Sequence, residues 1–260
     1  MRVSLFASSS SGNCTLLSQG ESHLLIDAGV SLRRLRAALS GHGLGPEDLC
    51  GVLITHEHTD HTAALPMLCR HCSVPLYAPR TVTNHLRGSM PGIEGLLRDI
   101  APFEPFSVGG FTVTAFPTPH DAEGSVGYRV EGEGSFGFCT DCGCVTEDML
   151  DMLRSCDGAV IEANHDTDLL CDGHYPVYLK RRILSERGHL SNECCAALAV
   201  ELARCGARTL ILGHLSQENN RPALAREAVC GALVRAGFPA VQVEVGPVWG
   251  DLSLEIPPCR

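Results

Sequence analysis

No stretch of this 260-residue chain is apolar for long enough to span a membrane. The N-terminal run Arg2-Val3-Ser4-Leu5-Phe6-Ala7 reads as a strand, not as the apolar centre of a signal peptide. A cytoplasmic setting is expected. An excess of positive charge is also lacking: 20 Lys and Arg face 30 Asp and Glu, a formal net charge of −10. That excludes recognition of nucleic acid by a broad basic face, but it leaves room for a polyanion held through bound cations, which dominate the field of their site. Linkers and low-complexity tracts are absent too, so residues 1–260 are expected to form a single domain built of two related halves. No obligate protein partner is implied.

Cysteine, by contrast, is plentiful. The 14 Cys are scattered through a chain without an export signal, so most read as small buried hydrophobes and not as a disulfide framework. Cys69-Arg-His-Cys72 and Cys139-x-x-Cys142-x-Cys144 do not offer the four convergent ligands of a structural zinc site.

The densest chemistry lies in Val52–His61. The apolar run Val52-Leu53-Ile54 has the composition of a strand buried on both faces. It stops at a segment carrying His56, His58, Asp60 and His61. Imidazoles and carboxylates this close desolvate one another, and a shared positive charge compensates them. Other predicted strands end in ligand-type residues as well. The strand over Phe111–Phe116 leads to His120, Ser135–Thr140 to Asp141, Gly158–Ile161 to His165, and Thr209–Leu212 to His214. Convergence of strand ends on one site is how α/β folds build active centres. Val52–His56 and Leu210–His214 echo one another, each an apolar strand ended by a small residue and a histidine.

Further strands are expected at Val3–Ala7, Cys14–Leu17, Ser22–Asp27, Val74–Tyr77, Phe103–Val108, Ser125–Val130, Ala240–Val245 and Leu252–Ile256. Helices are expected after Ser31, over Thr62–His71, Thr81–Arg87 and from Thr146. Others follow over Tyr178–Arg187, after Ser191 or Asn192, and from Pro222 to Ala236.

Thr55-His56-Glu57-His58-Thr59-Asp60-His61 matches the T-H-x-H-x-D-H signature of the metallo-β-lactamase fold. Ser8–Leu17, Pro117–Asp121, Thr140-Asp141, Glu162–Asp166, Gly188–Asn192 and Leu212–Asn220 together resemble the YycJ/WalJ group of bacterial DNA exonucleases. The resemblance implies an α/β four-layer αββα sandwich with the site at the seam of its halves. It implies two divalent metal ions, Zn²⁺ or Mn²⁺. One would be held by His56, His58 and His120, the other by Asp60, His61 and His214, with Asp141 shared.

The implied reaction is hydrolysis of a phosphodiester by a hydroxide held between two metals, with DNA degraded from an end, 5′ to 3′. Asp60 could orient that hydroxide and take its proton. His189 stands where tRNase Z enzymes carry a histidine near the leaving oxygen and would be the general acid, with Glu162 or His165 fixing its tautomer. Substrate contacts are expected from Ser10, Ser11, Asn13 and Asn219, and from Lys180 and Arg181 in the basic segment that continues to Arg182 and Arg187. The interval from Asp141 to His214 is too short for the inserted domain of ribonuclease J-type relatives, and it has no clear counterpart of the tRNase Z arm. An RNA-processing role is therefore the lesser alternative. A glyoxalase II-like thioester hydrolase of the same fold is the other.

Overall fold

Short runs of aliphatic and β-branched residues alternate with helical segments along the chain, and each run becomes a strand of one of two sheets. The computed structural model describes residues 1–258. The first half holds β1 (Arg2–Ser9), β2 (Gly12–Gln19), β3 (Ser22–Ile26), α1 (Leu32–Gly41), β4 (Leu49–Leu53), α2 (Thr59–Thr62), α3 (Leu65–His71), β5 (Leu76–Pro79), α4 (Arg80–Ser89) and β6 (Leu97–Ile100). The second begins with β7 (Phe106–Val108), β8 (Phe111–Pro117), β9 (Val126–Glu131), β10 (Ser135–Cys139), α5 (Glu147–Leu153) and β11 (Gly158–Glu162). It continues through α6 (Thr167–Asp172), α7 (Val177–Ile183), α8 (Asn192–Arg204), β12 (Thr209–Gly213), α9 (Pro222–Arg235) and β13 (Gln242–Val245). A last strand, β14 (Leu252–Glu255), returns to pair with β1.

The sheets run β14-β1-β2-β3-β4-β5-β6 and β7-β8-β9-β10-β11-β12-β13. In each, three antiparallel pairings are followed by three parallel ones. β3 thus corresponds to β10, β4 to β11 and β5 to β12. The echo between Val52–His56 and Leu210–His214 would pair β4 with β12, and the strand order corrects it. Both segments are apolar because buried parallel strands are covered on both faces, not because they occupy equivalent places.

Alternation along the strands builds three cores. Leu24, Ile26 and Leu53 meet Tyr128, Phe138, Val160 and Ile211 between the sheets. Their neighbours Leu25, Val52 and Ile54 face Leu35, Leu65 and Val82 of α1, α3 and α4. On the far side Ala159, Ile161, Leu210 and Leu212 face Met149, Leu198 and Val229 of α5, α8 and α9. The result is helix, sheet, sheet, helix. Between the sheets the buried Tyr128 hydroxyl donates to the Ile54 carbonyl at 2.6 Å, a polar tie just before the histidine segment.

Several boundaries differ from expectation. The helix expected over Thr62–His71 is split into α2 and α3, because Pro66 has no N–H to carry one ladder through. The strand before Gly109 is only Phe106–Val108, since Phe103 has φ 66°. Tyr178–Arg187 is helical only over Val177–Ile183, after which Gly188 N–H closes a turn on Ser185 O at 2.8 Å. Neither β6 nor α6 was anticipated: each buries one side chain, Leu97 and Leu170, too few to leave a periodic signal. Among the described residues no helix is long and apolar enough to cross a membrane.

Candidate metal centre

Strand ends of both sheets meet at one edge, and there the predicted ligands come together. β3 stops at Ile26 because Asp27 turns left-handed (φ 58°). That turn aims its buried carboxylate across β4. Thr55 donates to it from N at 2.9 Å and from Oγ, and His61 Nδ1–H donates to Oδ2 at 2.7 Å. The Thr55 hydroxyl, having given its proton to Asp27, accepts from His56 Nδ1 at 3.0 Å. One carboxylate therefore sets the tautomers of two histidines and leaves each Nε2 lone pair facing inward. Sequence reading placed Asp27 at the end of a strand but gave it no role. Its signal was the one that marked Asp141, an Asp directly after an apolar strand.

The second half repeats the device with different partners. Asp141 follows β10, also left-handed at φ 56°, and His214 follows β12 at φ 55°. The buried Glu162 at the end of β11 uses one oxygen to accept from His189 Nδ1 (2.7 Å) and His214 Nδ1 (2.9 Å). Its other oxygen accepts Cys142 N–H and Leu190 N–H at 3.0 and 3.2 Å. His120 Nδ1 donates to Gly188 O at 3.3 Å, and Ser8 Oγ accepts His214 N–H at 2.8 Å.

Two sets of ligand atoms result, each mutually within 4.8 Å: His56, His58 and His120, and Asp60, His61 and His214. Asp141 lies between them, its oxygens 3.3 Å from His61 Nε2, 3.4 Å from His214 Nδ1 and 3.9 Å from His120 Nε2. The fit to a divalent cation can be read from unsatisfied atoms. His56 Nε2, His120 Nε2, His214 Nε2 and Asp141 Oδ2 are all buried with no hydrogen-bond partner. Four orphaned acceptors in one small volume are costly unless a cation takes them.

The electrostatics agree. Burial, reinforced by the neighbouring His61, holds His56 well below the usual histidine range. Burial also lowers His61 and His214, but Asp27 and Asp141 outweigh it at His61, and Asp141, Asp60 and Glu162 do so at His214. His61 ends well above its ordinary value and His214 at about 10. Asp141 is held well below the carboxylate range by His214 and His61 despite burial. The carboxylates bind protons on these imidazoles where a cation could replace them, which is the competition expected of a metal site.

Beside the centre, and joined to it through His189, lies a cleft of about 170 Å³ lined by Ser10, Asn164, Arg182, His189 and Ser216, among others. His189 is the one histidine of the Glu162 pair that reaches the cleft. Burial lowers it, but Glu162 more than offsets this and raises it above the ordinary histidine range. Ser10 lines the cleft, and Ser11 Oγ beside it accepts from Gln217 at 3.1 Å.

Other predicted contacts lie outside the cleft. Asn13 is buried, its amide 3.0 Å from His61 Nε2 and 3.4 Å from Asp60 Oδ2, so it braces the ligands. Asn219 is buried, its backbone N–H donating to Ser216 Oγ at 3.1 Å. Lys180 Nζ donates to Cys171 O at 2.6 Å, and Arg181 is exposed on the outer face of α7. Of the basic segment, Arg182 and Arg187 approach the centre, Arg182 pairing with Asp121 and Arg187 Nε donating to His120 O at 2.8 Å. His165 is buried with neither ring nitrogen hydrogen-bonded, so the tautomer of His189 is set by Glu162 and not by His165. Asn164, which sequence reading passed over, donates to His214 O at 2.9 Å and lines the cleft.

Known proteins resemble this chain in sequence and in fold. Residues 22–215 match the family model described as the beta-lactamase superfamily domain. The chain is 34% identical over 242 residues to exodeoxyribonuclease YycJ of Bacillus anthracis, covering 92% of this chain and 91% of that one. It is 35% identical over 241 residues to exodeoxyribonuclease WalJ of Streptococcus pneumoniae serotype 2, covering 90% and 89%. Among solved structures, the metallo-beta-lactamase fold protein YhfI from Bacillus subtilis superposes with a TM-score of 0.75 at 18% identity, over 98% of this chain and 99% of that one. The short form of human tRNase Z gives 0.68 at 18% identity, over 99% and 100%. Strand order, ligand segment and these likenesses agree: the chain belongs to the metallo-β-lactamase superfamily and, within it, to the YycJ/WalJ group.

Proposed function

We propose that this chain is a metal-dependent phosphodiesterase, a DNA exonuclease that works 5′ to 3′, acting as a single domain in the cytoplasm. The observation that carries the reading is the pairing of two ligand triads about Asp141 with His189, held on Glu162 and lining the adjoining cleft. His56, His58 and His120 would hold one divalent cation, and Asp60, His61 and His214 a second, with Asp141 shared. Zn²⁺ and Mn²⁺ both suit this nitrogen and oxygen set. Cations held there supply the positive charge that makes water nucleophilic near neutral pH and offsets charge growing on phosphate oxygens.

The side chains do the rest. Asp60, part-exposed and braced by Asn13, is the carboxylate that would take the proton of an attacking water. His189 keeps its Nδ1–H on Glu162, which leaves Nε2 free to serve the leaving oxygen, and Glu162 raises its affinity for the proton it would give. A sugar alkoxide is a poor leaving group and needs that proton; a thiolate does not. This favours a phosphodiester over the thioester of the glyoxalase II-like alternative. Ser10 and Ser11 stand where they can donate to a phosphate oxygen. Identity to two exodeoxyribonucleases over nine-tenths of the chain supports DNA as the polymer.

The test is cleavage of end-labelled single- and double-stranded DNA carrying blocked or free 5′ and 3′ ends, across a titration of Mn²⁺ and Zn²⁺. Stepwise loss from a free 5′ end is the expected result. DNA left intact at every metal concentration, with S-lactoylglutathione hydrolysed instead, overturns the reading in favour of the thioesterase.

A further inference from the structure

The two halves match strand for strand, but the connection after β11 is much longer than its counterpart after β4. Where the first half passes from β4 to α2 and α3, the second inserts α6 and α7 before α8. α7 buries no residue, so it does little to hold the fold together. Leu179, Arg182 and Ile183 on its inner side and Tyr175 just before it line the cleft with His189. The outer side carries Tyr178, 74% exposed, and Val177, 64% exposed. Beside them are Lys180 and Arg181, in a chain whose net charge is −10. A large aromatic ring left in solvent next to cations, on a helix that walls the catalytic cleft, is the pairing that single-stranded nucleic acid uses: bases stack on the ring while phosphates track the charge.

We propose that α7 is a stacking platform for the polymer strand leaving the cleft, with Tyr178 contacting a base beyond the scissile phosphate and Arg181 and Lys180 following the backbone. This rests on the nuclease reading of the centre and specifies how that centre holds a strand. Tyr178 is a positioning residue: it lies outside the centre and acts on where the strand sits, not on the chemistry.

The experiment compares a short single-stranded DNA oligonucleotide with bis(p-nitrophenyl) phosphate, which is too small to extend from the cleft to the outer side of α7. Tyr178→Ala is expected to raise KM for the oligonucleotide about tenfold, the effect of losing one stacked base, while kcat and KM for the small diester and the metal content stay unchanged. Tyr178→Trp is expected to restore the oligonucleotide KM. Lys180 is the only lysine of the chain, so acylation at this position should be slowed by bound oligonucleotide in the wild-type protein. An unchanged oligonucleotide KM in Tyr178→Ala overturns the proposal, as does an equal loss on both substrates. A wild-type dimer that Tyr178→Ala splits, seen by light scattering, overturns it too and makes a second copy the occupant. If the wild-type protein cuts the small diester but no DNA, the nuclease reading fails and takes the platform with it; DNA cleavage indifferent to Tyr178 removes the platform alone.

Discussion

At the end of β3, Asp27 turns its carboxylate back onto Thr55 and His61; at the end of β10, Asp141 turns its carboxylate outward between the two triads. The strands occupy equivalent places, the residues are the same, and both are left-handed. Only the partners differ. The first half supplies a dense ligand segment that needs an internal brace, because four candidate ligands fall within a few residues after β4. The second half supplies ligands singly, from the ends of β8, β10 and β12, and its brace is Glu162 at the end of β11. One geometry thus serves once as scaffolding and once as a ligand.

That contrast can be broken. Asp141→Ala should abolish turnover, on the order of a thousandfold or more, with loss of bound metal by elemental analysis, since both triads share that carboxylate. Full activity in this variant would sink the dinuclear arrangement. His189→Ala should slow cleavage about a hundredfold or more while metal content stays near that of the wild type. A substrate with a good leaving group should recover much of the rate, and an unchanged rate on ordinary DNA would remove His189 from the chemistry. Asp27→Asn, the mirror of the Asp141 change, should weaken metal affinity only about 10- to 100-fold, because it disturbs the orientation of His61 without removing a ligand. A competitive chelator titration reads this, and a loss as deep as that of Asp141→Ala would erase the distinction between brace and ligand. The smallest effect is expected from Tyr128→Phe, which leaves the buried Ile54 carbonyl unpaired. A destabilisation of about 1–3 kcal/mol in denaturant titration, with activity retained at room temperature, is the expected outcome.

Much of this was legible in the chain. The ligand segment after Val52-Leu53-Ile54 is local, so spacing alone exposes it, and His120, Asp141 and His214 show because each ends an apolar run. What escaped is what depends on direction. Asn13 and Ser10 are close in sequence and both near the site, yet one is buried against His61 and the other faces the cleft. Lys180 and Arg182 are two residues apart on a helix, so they diverge around its axis, and only Arg182 reaches the cleft. His165 looked like the others because it too follows an apolar strand, but Glu162 reaches His189 first. Asp27 escaped because a carboxylate that serves other side chains leaves no motif of its own.

The left-handed backbone at Asp27, Asp141 and His214 has a consequence for anyone evolving this protein. Away from glycine such a conformation costs about 1–2 kcal/mol per residue, less where a short polar side chain bonds locally. A library selected only for heat resistance should therefore drift towards glycine or asparagine at these three places, above all at His214, and become more robust as it goes inert. Selection for turnover should hold them fixed. Their behaviour under the two regimes would separate, codon by codon, what the fold wants from what the chemistry demands.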